Sequence, residues 1–325
     1  MLAIKDVHDR RHSGDGADGQ TLSWGEAIRT CEYDGFRAFF RVSNVKTVLT
    51  QTVIVAIGAL GMTLVIVSGG IDLSAGSMVA LTSVIGAALL EQKWSTGPVV
   101  VVTIVSGMMV GAFNGGLIGL FRLMPFIVTL GMMGVARGMA KWVGNNQTVI
   151  YPPEAAVNQL MLIDDLDHFF PLPWGVWIAV VLALALGVVM QRTVFGRYIF
   201  AIGSNEATAR LCGIRVPMHK VFIYALAGCF FGCAGLMQMA RLTQGDPSGA
   251  IGLELDMIAA VVIGGASLSG GTGSVLGSMI GALVIQTLRN GSSLMAWPTF
   301  TQEIIIGSVI VLAVGLDQYR QRKRI

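Results

Sequence analysis

The chain has 325 residues, of which 54% are hydrophobic and only 13% charged, with 42 glycines and 17 methionines. A soluble domain of that length carries about a quarter charged residues, so composition alone places the chain in a membrane. Its formal net charge of +3 is small and scattered, which excludes a nucleic-acid partner.

Residues 1–44 are polar and carry "RRHSGDGADGQ", a mixture of glycine, aspartate and serine without apolar periodicity; disorder is expected there, with at most a short helix from Trp24 to Arg29. No apolar core followed by a small-residue cleavage site opens the chain, so a cleaved signal peptide is not expected. Apolar spans follow at 48–67, 75–90, 98–120, 126–143, 176–190, 221–240, 257–268, 274–288 and 302–316. About 20 residues cross the hydrocarbon core of a bilayer. The second and seventh spans are short enough to be broken or re-entrant. The expected fold is an all-α polytopic membrane protein of about nine transmembrane or re-entrant helices, with a membrane domain over residues 45–318.

Lys and Arg in the loops set the orientation. Arg192, Arg197, Arg210, Arg215 and Lys220 stand against Glu206 alone between 192 and 220, and residues 319–325 form a basic tail; both are expected to be cytoplasmic. Between Gly144 and Gln191 there is no Lys or Arg, while Glu154, Asp164, Asp165 and Asp167 mark an external loop. Four crossings after Lys220 return the chain to the cytoplasm. Five crossings before Arg192 put the start of the first span outside, unless one early segment does not fully cross. The seven basic and seven acidic side chains of residues 1–47 do not decide between these.

In "SGGIDLSAGS", Gly69 and Gly70 break a helix and Asp72 or Ser74 can cap the next one. A helix start within the membrane offers free N–H groups to a polar substrate or to a neighbouring backbone, and an ionisable residue at that depth is a functional candidate. Asn114 is a lone polar side chain in an apolar span, suited to bonding between helices or to lining a path. Gly111 and Gly115 stand four apart, as do Gly273, Gly277 and Gly281, a spacing that lets helix backbones approach closely in lipid.

In the basic loop, Asn205 is placed to N-cap a short helix from Glu206 to Cys212 that Gly213 ends in a left-handed conformation. A loop this long suits a docking surface as well as a solvated connector. Cys229 and Cys233 read as buried small hydrophobes one turn apart. Glu254 and Asp256 open the seventh span near the outer surface and are expected to cap it. "IGGASLSGG" echoes the first break 195 residues later, matching Gly264, Gly265, Leu268 and Ser269 to Gly69, Gly70, Leu73 and Ser74. No nucleotide-binding "GxxxxGKS", no "HExxH" and no zinc spacing of cysteine and histidine is present. No catalytic, metal or cofactor site is expected.

The stretch "GRYIFAIGSNEATARLCGIRV" resembles the coupling loop of bacterial ABC-importer permeases, whose "EAA...G" helix fits a groove on an ATPase subunit. Its full form is similar to the monosaccharide branch of these permeases, the ribose, xylose and galactose type. "GMTLVIVSGGIDLSAGSMVALTSVIGA", "MPFIVTLGMMGVARG" and "GLELDMIAAVVIGGASLSGGTGSVLGSMIGALVIQTLRNG" resemble further segments of that branch in the same order. The resemblance implies ATPase coupling through Asn205, Glu206, Ala207, Arg210 and Gly213, with ATP bound by the partner ATPase. It also implies a periplasmic sugar-binding protein, a second permease subunit, and an inner-membrane location. Gly70, Asp72, Ser74 and Asn114 are candidates for the path or the helix break, and Gly273, Gly277 and Gly281 for helix packing. Relatives of this kind carry one further apolar span before the region of Asn44, where this sequence has "CEYDGFRAFFRV". An ion-coupled carrier of a small polar solute is the alternative reading.

Overall fold

A computed structural model describes residues 39–163, 170–295 and 297–322. The segment 1–38 with its expected helix from Trp24 to Arg29, and the acidic residues Asp164, Asp165 and Asp167, lie outside the described residues. The helices, in chain order, are α1 (Val42–Val67), α2 (Ala75–Glu91), α3 (Thr96–Leu120), α4 (Pro125–Val143), α5 (Trp174–Arg192), α6 (Val194–Ser204), α7 (Glu206–Leu211), α8 (Val216–Leu242), α9 (Leu253–Ile263), α10 (Val275–Leu294) and α11 (Thr299–Arg322). A short antiparallel pairing of β1 (Val149–Ile150) with β2 (Gln244–Gly245) ties the loop after α4 to the end of α8.

Each of the nine expected spans falls on a helix. Among the described residues, α1, α3, α4, α5 and α8 are long and apolar enough to cross a membrane. At 1.5 Å per residue, the 17 residues of α2 and the 11 of α9 reach only about 25 and 17 Å. The seventh span is displaced from its expected place at 257–268: α9 starts at Leu253 and closes at Ile263, because Gly265 takes φ +91° just beyond it. Nor is the basic loop mostly irregular. Its first part is α6, whose Gly196, Ile199 and Ile202 are buried.

The centre of the bundle is α1. It is apolar on every side, and a helix of that kind has no face to offer water; its residues from Thr52 to Val67 are all buried. Helices α8, α10, α9, α5 and α6 pack around it. At the start of α1, Thr47 and Gln51 share a cavity with Asn158 and Arg241. Its end lies at the α6 side, where Val67 accepts a hydrogen bond from the Gly271 amide at 2.9 Å. The start of α1 therefore lies at the same end of the bundle as the loop after α4, and its end lies beside α6.

Glycine makes the closest helix pair. Gly107, Gly111, Gly115 and Gly119 recur every fourth residue along α3 and face α8. A Cβ on Gly107 would stand 2.5 Å from the Gly228 carbonyl oxygen, one on Gly115 2.7 Å from Val221 Cα, and one on Gly119 2.5 Å from the Pro217 carbonyl oxygen. These are backbone atoms, which no rotamer change can move aside. The opposite side of α3 exposes Val101, Met109 and Phe113, as a lipid-facing surface does. On α10, Gly277 meets Gly264 and Gly281 meets Ala260 of α9. Gly273 lies ahead of α10 against Val67 and Ala266, so the expected three-glycine face is divided between a turn and a helix.

Polar side chains join the same elements at chosen points. Asn44 and Asn290 exchange two amide hydrogen bonds, of 2.9 and 3.0 Å, which pin the start of α1 to α10. The hydroxyls of Thr63 and Ser278 stand 2.7 Å apart deeper along the same pair. Asp256 does not cap α9 as expected. It accepts a hydrogen bond from Arg289 Nη2 of α10 at 2.8 Å, with its own side chain 4% exposed.

Two outcomes follow for folding. Gly111→Leu should cost ~3 kcal/mol or prevent assembly, because its side chain would displace the α8 backbone, whereas Gly134→Leu, with open space around its Cβ, should leave the unfolding temperature in detergent within a degree or two. Arg289→Met should cost ~3 kcal/mol by leaving Asp256 buried without its partner, and Asp256→Leu added to it should restore most of that loss in thermal unfolding.

Candidate functional site

The loop between α5 and α8 folds as two capped helices. Thr193 Oγ1 accepts from the Gly196 amide at 3.2 Å and starts α6. Asn205 then takes an extended conformation, φ −158° and ψ 102°, and its Oδ1 accepts from the Thr208 amide at 3.0 Å to start α7. At the other end Gly213 has φ +84°, its amide reaching the Arg210 carbonyl at 3.0 Å while that of Ile214 reaches Ala209 at 3.1 Å. That closure satisfies two carbonyls and needs a residue without a Cβ penalty. Ile214 packs with Ile202, Ala209 and Val216, a small apolar centre holding α6, α7 and the start of α8 together.

Glu206 does more than face the positive end of α7. It accepts from Arg210 one turn on and from Lys220 Nζ of α8 at 2.7 Å. Burial alone would push its carboxyl up, but the hydrogen bond and charge of Lys220, with the charge of Arg210, outweigh it and hold the group below its usual 4.5. Lys220 reads in the sequence only as one of the loop's basic residues; its pairing with Glu206 is not legible there because the two lie 14 residues apart. With Glu206 tied to α8 and Ala209 buried, Ala207, Thr208, Arg210 and Leu211 form the exposed surface of α7, and Leu211 is 89% exposed.

The first helix break is a second cluster. The Gly69 amide reaches Ile66 and the Gly70 amide reaches Val65, closing α1 with Gly69 at φ +81°. A side chain on Gly70 would collide with the Tyr224 hydroxyl of α8. Of the two capping candidates, Asp72 makes the bonds: its Oδ1 accepts from the Ser74 amide at 2.8 Å and the Ser74 hydroxyl at 2.5 Å. Asn114 Nδ2 of α3 donates to Ser74 Oγ at 3.1 Å, and Thr129 of α4 donates to the Ile71 carbonyl at 3.2 Å. Asn114 thus bonds between helices. Asp72 Oδ2, Asn114 Oδ1 and the Tyr224 hydroxyl have no partner among the described residues, though all three side chains are buried.

The second break repeats this construction with a shifted register. The Gly265 amide reaches Val262 and the Ala266 amide reaches Val261, so the helix closure aligns Gly265 with Gly69. The Ser269 amide then reaches Ser267 Oγ at 3.2 Å, as Ser74 reaches Asp72. The turn keeps the 195-residue offset read in the sequence, while the glycine closure is offset by 196; the second break has one residue fewer between them.

At the start of α1, a cavity of about 310 Å³ is lined by Thr47, Gln51, Asn158, Met161 and Arg241 among others, and no sequence motif marks it. Among the described residues no group of three acidic, histidine or cysteine side chains could hold a metal ion.

Residues 44–314 match the family model described as the permease component of the branched-chain amino acid transport system. The chain is 39% identical over 290 residues to the ribose import permease protein RbsC of Escherichia coli strain K12, covering 87% of this chain and 88% of that protein. It is 34% identical to the L-arabinose ABC transporter permease protein AraH of Azospirillum brasilense, covering 88% and 83%, and 35% identical to the xylose transport system permease protein XylH of Escherichia coli strain K12, covering 88% and 87%. No solved structure matches the chain. With its apolar spans, its capped loop helices and a match over nearly the whole membrane domain, the chain belongs to this family of transport-system permease components, as a multi-pass membrane subunit and not an enzyme.

Proposed function

We propose that the chain is the membrane-spanning subunit of an ATP-binding-cassette importer that passes a monosaccharide, a pentose, hexose or related polyol, from a periplasmic binding protein to the cytoplasm. The observation that carries this reading is the match, over 87% of the chain or more, to permeases named for ribose, arabinose and xylose. The α6–α7 geometry supports it. A short helix capped at both ends and tied to α8 by an ion pair presents Ala207, Thr208 and Leu211 outward, a rigid apolar-tipped surface suited to a groove on an ATPase. An ion-coupled carrier gives this surface no task.

In this reading two permease subunits enclose the path, each carrying one ATPase. Asn205 and Gly213 fix the ends of the coupling helix, and Glu206, paired with Arg210 within the helix, fixes its orientation on α8 through Lys220. ATP-driven closure of the ATPases then moves α7, and α6 and α8 follow because Ile214 and Lys220 bind the three into one body.

Gly213→Trp replaces the residue at φ +84° with one that pays a steric penalty there. It should abolish co-purification with the cognate ATPase in mild detergent while the bundle keeps its unfolding temperature; normal co-purification would count against the docking role. Uptake of labelled ribose, xylose, arabinose, galactose, glucose and inositol by vesicles holding the complete complex tests the substrate class, and transport of none of them would refute it. The Glu206 tie has its own pH dependence. Because its carboxyl is held below 4.5, the tie is at full strength above that value and is lost as pH falls through the folded value. Amide exchange of α7 should therefore be steady, after correction for intrinsic rate, above about pH 5, and accelerate below it. Lys220→Met should accelerate it at neutral pH.

A further inference from the structure

Both helix breaks meet the segment that leads into α7. Gly203 is the second-last residue of α6, two positions before the Asn205 cap. A Cβ on Gly203 would run into the Val67 carbonyl oxygen and stand 2.6 Å from the Gly271 amide nitrogen. One on Gly270 would stand 2.7 Å from the Gly203 carbonyl oxygen and 2.8 Å from Gly69 Cα, and one on Gly271 2.8 Å from Ser204 Cα. The Gly271 amide closes the junction by donating to Val67 O at 2.9 Å. Three segments distant in sequence, 67–69, 203–204 and 270–271, are thus in backbone contact at one place.

We infer that Gly203, Gly69, Gly270 and Gly271 form a backbone junction that relays movement of α7 to both helix breaks, so that these glycines are positioning residues for coupled transport. The inference rests on the importer reading above. Its physical basis is the lack of anything soft in the contact. A side chain in such an interface can change rotamer and absorb a displacement, whereas packed backbones must move together or separate. Gly69, Gly270 and Gly271 have φ of +81°, +86° and +75°, so the two break segments hold a left-handed course that keeps side chains out of the junction. What lies beyond each arm gives the relay something to act on. The first break carries Asp72 and Ser74 against Asn114 of α3, and the second leads within a few residues to Ser274, whose hydroxyl accepts from the Gly277 amide at 3.3 Å at the start of α10.

Gly203 is the position to change, because it lies in helix, where alanine fits the backbone, and only the close approach is lost. Gly203→Ala and the control Gly134→Ala, which has open space at its Cβ, are reconstituted in vesicles with the ATPase. Uptake of whichever of labelled ribose, xylose, arabinose, galactose, glucose and inositol the wild-type complex transports is measured together with ATP hydrolysis. Gly203→Ala should retain the bound ATPase and hydrolyse ATP within twofold of wild type, yet lose at least tenfold in sugar moved per ATP; the control should match wild type. A loss of folded protein alone lowers both rates and leaves their ratio unchanged, so an unchanged ratio overturns the relay. A second measurement needs no variant. In the wild-type complex, trapping the ATPase with vanadate and ADP should change amide exchange together in 67–74, 203–213 and 264–273, and a change confined to 203–213 overturns the inference. A wild-type complex that binds no ATPase overturns the importer reading first, and the relay with it.

Discussion

The structure depends on how closely one helix backbone can approach another. In lipid there is no hydrophobic gain from bringing two apolar helices together, so association relies on van der Waals contact and a few hydrogen bonds. The chain meets that constraint with glycine at the places where helices touch. Along α3 and α8 the contact is long, from Gly107 against Gly228 to Gly119 against Pro217. Between α9 and α10 it is short, at Gly277 and Gly281. Side chains at these positions would part the helices, and α1, which has no polar face, would lose the enclosure it requires.

A second constraint is that backbone polar groups in hydrocarbon must find partners within the protein. Two helices end inside the bundle, and each end has been closed in the same manner: paired amide bonds back to the last turn, a glycine in the left-handed region, then a side-chain oxygen accepting from an amide two residues on. The first break adds side chains from α3 and α4, since Asn114 and Thr129 bond to it. These bonds let an interrupted helix exist among apolar neighbours. They also concentrate polar atoms at the two places in the bundle that adjoin the α6–α7 loop.

The loop itself is rigid for reasons that are local. Asn205 and Gly213 define the ends of α7, Ile214 gives it an apolar anchor, and Glu206 joins it to α8 through Lys220. A helix of six residues is too short to persist alone, so its order comes from these attachments. The surface left free is that of Ala207, Thr208, Arg210 and Leu211.

Periodicity and capping pattern by themselves determined the membrane class, the approximate spans and the ends of α7, because each depends on residues within a few positions of one another. The resemblance of several motifs in fixed order determined the family for the same reason. Other features were decided only when distant segments met. Asp256 finds Arg289 across 33 residues, and Asn44 finds Asn290 across 246. Glu206 finds Lys220 on the next long helix, and α6 was hidden because its 11 residues are too few for a membrane span and it packs against α1, a distant segment. Which glycines bring helices together, and which end them, was also settled in three dimensions. Glycine in sequence states only that a side chain is missing, while the atom that occupies its place belongs to another part of the chain.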